Sequence, residues 1–513
     1  MRRPPLSAFG PHTIAVPQAP RMYIAMVSAE CAPIAKAGGL GDFIHGLARA
    51  VSLRGHRVEV LLPKYDCLRL DLIDDLHQIH ADLPVPFYDE IVRCSIEQGR
   101  VDGVDCLFID PQSSHGFFER GRIYGEADDD ARFGLFCRAV LEFLSRSGRR
   151  PDILHCHDWQ TGLVPVLLYE SFAGLGEGLG LPDTRAVYTL HNLGHQGWVG
   201  QAVLRQAGLS PRRLLAPDRL QDAGNPDGVN LMKGGIVYSN FVTTVSPRYA
   251  WEAQNTDQGM GLQGLLRQYN GKFAGILNGI DDVVWNPHHD PFLVQPYGPE
   301  TLADKAASKA ALRARLGLQE SAKPILSVVS RLDRQKGVDL IRHGIDYALG
   351  QGCQVVLLGS AQEPAVAATF AKMAERLAPN PDAHLELAYD EELSHQIYAG
   401  ADMILIPSVY EPCGLTQLIA MKYGVVPIVR RVGGLADTVF DANYSDRPFG
   451  ERNGYTFDDL TVTAQDHAME RAVGLWYHYP EYFRQLRVNG MTADHSWGLP
   501  AGRYLDIYHY LRP

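Results

Sequence analysis

Strand, loop, helix and strand follow one another between Asp402 and Thr438, and this unit restricts the fold more than any other stretch. The segment DMILIPSVYEPCGLTQLIAMKYGVVPIVRRVGGLADT opens with a buried-strand run, Met403 to Ile406, which Pro407 and Ser408 end. A helix pattern runs from Leu415 to Tyr423, and a second apolar strand from Val425 to Val429. Two such strands joined by a helix lie parallel in one sheet, because a parallel pair needs a crossover connection. The loop after the first strand carries Glu411, Pro412 and Gly414. It sits at a carboxyl strand end, where open parallel sheets bind ligands. The helix that follows offers free N–H groups and a positive dipole end to an anion. Glu411 therefore has two readings. It handles a neutral, hydroxyl-rich group beside a phosphate, or it is a surface acid capping a helix. Its loop position implies a small part in holding the fold.

The same alternation recurs along the chain. Arg21–Ser28 is the first strand pattern, followed by a glycine-rich loop, a helix pattern from Phe43 to Arg54 and a strand from Arg57 to Leu62. Further strands are expected at Val104–Ile109, Asp152–His155, Ala186–Leu190 and Phe241–Val245, with helix patterns between them. The pattern restarts after residue 274. Strands are then expected at Pro324–Ser330, Gln354–Leu358, His384–Leu387, Met403–Ile406 and Val425–Val429. Each set implies a mostly parallel sheet covered on both faces. The expected fold class is α/β, with two doubly wound, Rossmann-like domains facing a cleft. The expected divisions are a flexible leader over 1–20, a first domain over 21–278, a second over 279–486, and a C-terminal helix over 487–513. At 513 residues the chain exceeds what one hydrophobic core supports.

Composition narrows the partners. The net charge of −11 argues against nucleic acid, which needs a basic footprint. No apolar run is long enough to span a membrane. The eight cysteines, at 31, 67, 94, 106, 137, 156, 353 and 413, form no CxxC pair, which argues against zinc. Several fall inside apolar strand patterns, as reduced cysteines do, and a cytoplasmic protein is expected. The first twenty residues hold five prolines and lack the apolar core of a secretion signal. Asp128 and Asp130 have the Asp-x-Asp spacing that can hold a metal. Acids opening a helix also favour its dipole, and that reading is preferred.

Four loops after expected strands carry chemistry. Lys36-Ala-Gly38-Gly39-Leu-Gly-Asp42 combines a cation with glycines that let backbone approach a ligand. His155-Cys-His157-Asp158-Trp159 suggests a metal, but no third ligand lies nearby, so a polar strand end lining the cleft is the better reading. His191-Asn192 ends another strand, either contacting sugar hydroxyls or capping. Arg331 and Lys336 flank a strand-to-helix turn in SRLDRQKG; a guanidinium fork and an ammonium suit a diphosphate, or they are solvated surface cations.

These pieces, with NLMKGGIVYSN at 230–240, TTVSPRYA at 243–250, ILNGID at 276–281 and EPCGLTQLIAMKYGVVPIVRRVGGLADTV at 411–439, resemble bacterial glycogen synthases and the related plant starch synthases. The resemblance runs in unbroken order from Arg21 to the C-terminus. It implies a GT-B fold and transfer of glucose from ADP-glucose to the non-reducing end of an α-1,4-glucan, with the anomeric configuration retained. No cofactor is expected, and no metal either, because three cations converge on the diphosphate and no ligand cluster is convincing.

Position by position, the resemblance implies that Lys36 and the Gly38–Gly39 backbone meet the nucleotide sugar. Arg331 and Lys336 would bind the diphosphate, and Tyr389 would line the adenine pocket. His191 and Glu411 would surround the transferring glucose, with Asp42 and Asn278 as further polar groups. The Cys413-Gly414-Leu415-Thr416 turn would face phosphate, and Asp158 and Trp159 would lie toward the acceptor. Departures are Cys31 in place of an aliphatic residue, the loop insertion GNPDG at 224–228 and Gln263 in place of an acid. The cations alone do not separate ADP-glucose from UDP-glucose, which shares the diphosphate, and another acceptor is also open. A non-catalytic glucan-binding relative would be expected to have lost Lys36, Arg331, Lys336 or Glu411, and all four are present.

Overall fold

The computed structural model describes residues 21–176 and 178–512. The leader expected over 1–20 lies outside them. The first sheet is built from β1 (Tyr23–Val27), β2 (Arg57–Pro63), β3 (Asp74–Phe87), β4 (Glu90–Val101), β5 (Val104–Gln112), β6 (Ile153–His157) and β7 (Arg185–Leu190). A small ribbon, β8 (Trp198–Gly200) with β9 (Gly228–Asn230), stands apart, and β10 (Phe241–Thr244) and β11 (Phe273–Gly275) complete the sheet. The second sheet holds β12 (Ile325–Val329), β13 (Gln354–Leu358), β14 (Ala383–Glu386), β15 (Met403–Ile406), β16 (Val426–Arg430) and β17 (Tyr455–Phe457).

The strand orders are β11-β10-β7-β6-β1-β2-β5-β4-β3 and β14-β13-β12-β15-β16-β17. Every pair in the second sheet is parallel. Helices cover both faces, so strands such as YIAMV and MILI are buried at every residue and read as unbroken apolar runs. In each sheet the order reverses beside the first strand of its set. That crevice lies between β1 and β6 in one sheet and between β12 and β15 in the other. Loops after those four strands carry most of the expected site residues.

The first sheet departs from the alternating pattern at one edge. Between β2 and β5, where a helix is expected, β3 and β4 form a long antiparallel hairpin. The β3 sequence DDLHQIHADLPVPF is exposed or half-buried over most of its length, and its register shifts three times. Such bulges and polar residues blunt an edge strand against pairing with other chains. They also erase the period-two signal.

The chain passes between the domains twice, side by side. Ile280 pairs with Ser496 as an isolated bridge. A Cβ at Gly279 would lie 2.6 Å from the backbone of Ser496, so only glycine allows this approach. The helix Gly498–Leu511 then packs on the first domain. Tyr508 OH meets the buried His155 Nδ1 at 2.7 Å, and the Trp497 indole fills the space beside Gly46. Among the described residues no helix is long and apolar enough to cross a membrane.

Candidate active site

The loop after β12 forms one half of the second domain's crevice. Asp333 accepts a hydrogen bond from the Lys336 amide at 3.1 Å, which closes the turn Arg334–Lys336. Gly337 then takes φ +74°, and a Cβ there would sit 2.3 Å from the Pro407 carbonyl oxygen at the end of β15. The turn is thereby seated against the neighbouring loop. Lys336 points into the crevice, and its Nζ meets Glu411 Oε2 at 2.6 Å. Ser408 Oγ donates to the same oxygen at 2.9 Å.

Glu411 is only 6% exposed, which corrects the expectation of a loop acid with little part in the fold. Its carboxylate is a buried ion-pair partner, and its carbonyl accepts the Gly434 amide at 3.0 Å. The next residues turn sharply. Gly414 has φ +73°, and Gln417 Nε2 donates to the carbonyls of Cys413 and Gly414. Leu415 caps the helix Thr416–Lys422. Cys413 and Leu415 pack into the core of the first domain, and a Cβ at Gly39 would touch Leu415 Cδ1 at 3.8 Å. The two glycine loops therefore meet across the domain boundary. The Asn278 backbone bonds toward the Cys413 thiol, while Asn278 Oδ1 is buried without a partner among the described residues.

The first domain's loop after β1 is held by Glu30, a residue absent from the sequence-derived set. Glu30 Oε2 accepts the Ala37 and Gly38 amides at 2.7 and 2.8 Å, and Oε1 accepts the Tyr124 hydroxyl at 2.7 Å. The Gly38 amide is thus engaged by Glu30 within its own loop. The helix Gly39–Ser52 follows immediately. Lys36 Nζ meets Asp42 Oδ1 at 2.8 Å. Burial opposes the charge on Lys36, but Asp42, with the fields of Tyr389 and Glu391 from the second domain, raises its pKa overall. Burial raises Asp42 too, partly offset by Lys36. Tyr389 itself is 77% exposed beside these groups, a ring open for stacking.

The third wall comes from β6 and β7. Asp158 adopts φ +55° and accepts the His191 amide at 2.8 Å. Burial pushes the Asp158 carboxyl up to about 7, despite the backbone bonds that favour its charge. Burial pushes His191 down to about 3, so its ring is neutral at ordinary pH. It stands edge-on to Phe43, with ring centres 4.6 Å apart. Asn192 bonds Tyr410 across the boundary. Trp159 packs edge-on to Phe133 at 5.7 Å.

His155 and His157 are fully buried, which corrects the reading of a polar strand end lining the cleft. Tyr508 and Thr189 take the His155 nitrogens, each at 2.7 Å. Among the described residues no cluster of three or more His, Cys, Asp or Glu is able to hold a metal. Asp128 bonds Arg120 through both oxygens, at 2.8 and 2.9 Å. Arg331 pairs only loosely with Asp333 at 3.4 Å, and its side chain is 59% exposed.

Asp158 makes a pH prediction. Its folded pKa of about 7 lies above the usual carboxylate value, so the folded state holds a proton that the unfolded chain has lost. Stability therefore falls as pH rises from about 4 to about 7. Asp158→Asn keeps an oxygen for the His191 amide and removes the titration. Its melting temperature is expected to exceed the parent's at pH 8, with the gain shrinking steadily toward pH 4. A gain independent of pH would contradict this.

Comparison with known proteins gives the geometry its context. Residues 23–268 match the family model described as starch synthase catalytic domain, and residues 309–484 match glycosyl transferases group 1. Glycogen synthase 1 of Nitrosococcus oceani is 54% identical over 96% of this chain and 100% of its own length. Glycogen synthase 1 of Trichormus variabilis is 52% identical over 96% of this chain and 99% of its own. The catalytic domain of starch synthase IV from Arabidopsis thaliana, solved with ADP and acarbose, superposes with a TM-score of 0.93 at 43% identity, over 96% and 99% of the two chains. Two doubly wound domains whose switch-point loops meet define a glycosyltransferase of the GT-B type. The chain belongs to the glycogen and starch synthase family, the glucan-elongating members of that class.

Proposed function

We propose that the protein transfers glucose from ADP-glucose to the non-reducing end of an α-1,4-glucan with retention at the anomeric carbon. The observation that carries this reading is the Lys336–Glu411 pair, 2.6 Å apart in the crevice between β12 and β15. The diphosphate lies against Lys336, Arg331 and the turn at 413–416. As negative charge builds on the leaving phosphate, the Lys336 ammonium shifts toward it. Glu411 is then left to stabilise the positive charge developing on the glucose carbon. His191, neutral and held by Asp158, hydrogen-bonds sugar hydroxyls and transfers no proton. Lys36 and Tyr389 hold the nucleotide end, and Asp158 and Trp159 border the acceptor. Docking of the two domains excludes water and favours transfer over hydrolysis. The ADP and acarbose held by the Arabidopsis relative support a nucleotide donor and a glucan-like acceptor. All eight cysteines are free, which supports a reducing, cytoplasmic setting.

The test is incubation of ADP-glucose or UDP-glucose with a glucan primer, scoring chain length and the anomeric form of the new linkage. Elongation by ADP-glucose with an α-linkage is expected. Elongation by UDP-glucose alone, or none with either donor, would overturn the assignment.

Arg331 is exposed, so its removal perturbs little of the fold. Arg331→Ala is expected to weaken ADP binding about tenfold, the scale of one charge-assisted bond to phosphate. Arg331→Lys restores part, since it keeps the charge and loses the fork. Calorimetry with ADP checks both; unchanged affinity in the alanine variant would make Arg331 a surface cation.

A further inference from the structure

The backbone that carries Glu411 is held from the other domain. Glu252 lies on the first-domain helix Pro247–Asn255 and is 4% exposed. Its Oε2 accepts the amide of Gly433, a second-domain residue, at 3.0 Å. Its Oε1 pairs with Arg248 Nε at 2.8 Å within its own helix. A second bond beside it crosses the same boundary, from the Arg248 amide to Asp437 Oδ2 at 2.8 Å.

Gly433 sits at a position that admits no side chain. It takes φ +46°, and a Cβ there would sit 1.9 Å from the Glu411 carbonyl oxygen. A Cβ at Gly434 would sit 2.0 Å from the Cys413 carbonyl oxygen. The Gly434 amide in turn donates to the Glu411 carbonyl at 3.0 Å. One short path therefore runs from the Glu252 carboxylate through the Gly433–Gly434 turn to Glu411, and from the Glu411 side chain to Lys336. No part of the transfer step described above uses Glu252. A buried carboxylate spent on a backbone amide of the opposite domain is costly unless that amide must be held in place.

We propose that Glu252 is a positioning residue that reaches across the domain boundary to hold the Gly433–Gly434 turn. Through the turn it sets Glu411, so the transfer machinery is complete only when the two domains are docked. This rests on the reading of Glu411 as the group that stabilises the transferring glucose. It makes domain docking a condition of turnover and not only a way of excluding water. ADP binding rests on Lys336, Arg331 and the 413–416 turn, which belong to the second domain and take no bond from Glu252, and it is unaffected.

The test uses the full chain with Glu252→Ala, Glu252→Gln, Glu252→Asp and Arg248→Ala, assayed for turnover with ADP-glucose and a glucan primer. ADP affinity is measured by calorimetry on the same preparations. Misplacement of a catalytic group by about an ångström costs on the order of a hundredfold, so Glu252→Ala is expected to lower kcat by about ten- to a hundredfold with ADP affinity unchanged. Glutamine keeps an oxygen for the Gly433 amide and is expected to retain most of kcat. Aspartate keeps the charge but falls short, and is expected to resemble alanine. Arg248→Ala leaves the Gly433 bond and is expected to retain kcat. Hydrogen exchange over residues 426–439 should rise in the alanine and aspartate variants only. Near-parent kcat in the aspartate variant, or loss in the glutamine variant equal to that in alanine, would overturn the proposal. If Glu411→Gln, assayed alongside, keeps normal turnover, the reading of the site fails first. Loss in Glu411→Gln with normal turnover in every Glu252 variant removes the link alone.

Discussion

Glu411→Gln is expected to lower turnover by at least about a hundredfold, equivalent to roughly 2.7 kcal/mol of transition-state stabilisation. Glutamine keeps the size of the side chain and its capacity to accept bonds from sugar hydroxyls. It removes the negative charge proposed to face the glucose carbon. ADP affinity is expected to hold or rise, because Lys336 no longer divides its charge between Glu411 and the phosphates. The structure adds a cost that the sequence did not suggest. Lys336 and Glu411 are 17% and 8% exposed at their side chains, so an amide beside the ammonium leaves a partly buried cation without its partner. A modest fall in melting temperature is therefore expected beside the loss of activity. Turnover, ADP calorimetry and melting on one preparation check the set. Near-normal turnover would reduce Glu411 to a structural ion-pair partner.

Lys336→Ala is expected to do more damage, because it harms two functions at once. It removes a cation proposed to bind the diphosphate, and it leaves the Glu411 carboxylate with Ser408 as its side-chain partner among the described residues. Removing one member of a buried ion pair costs up to about 3–5 kcal/mol. The partial exposure of Lys336 places this case at the lower end. Turnover is expected to fall by more than about a hundredfold and ADP affinity by about tenfold or more. The melting temperature should drop further than in Glu411→Gln. Lys336→Arg keeps a cation at Glu411 and is expected to restore stability ahead of activity, since the bulkier fork does not reproduce the ammonium's place on phosphate. Equal melting temperatures for Lys336→Ala and the parent would show that the pair contributes nothing to the fold.

The parallel framework was legible because its strands are buried on both faces. Met403–Ile406 and Gln354–Leu358 fall where their apolar runs end. The third strand of that kind was harder to bound. β6 runs on to His157, two residues past its expected end, because the histidines that look like a strand terminus are buried, His155 between Tyr508 and Thr189. The hairpin β3–β4 was invisible for the opposite reason, being an exposed, bulged edge without a clean period.

In the site, the residues proposed to face ligand were legible as motifs: Lys36, His191, Arg331, Lys336 and Glu411. The residues that hold them were not. Glu30 is separated from Gly38 by a turn, Ser408 is one serine in a loop, and Glu252 lies 181 positions from Gly433. Each is an ordinary polar residue in the sequence and gains meaning only from a partner brought close by the fold. Burial of Glu411 was hidden in the same way, since its cover comes from Lys336, Ser408 and the Gly433–Gly434 turn.

The central claim is that Lys336 and Glu411 act as one unit joining the diphosphate to the transferring glucose. The most direct measurement is a double-mutant cycle on turnover, with Lys336→Ala, Glu411→Gln and both together. Groups that work through each other are strongly non-additive, so the double variant is expected to be no more than a few-fold worse than the poorer single one. A loss in the double variant equal to the product of the two single losses would show that the residues act independently, and would contradict the account.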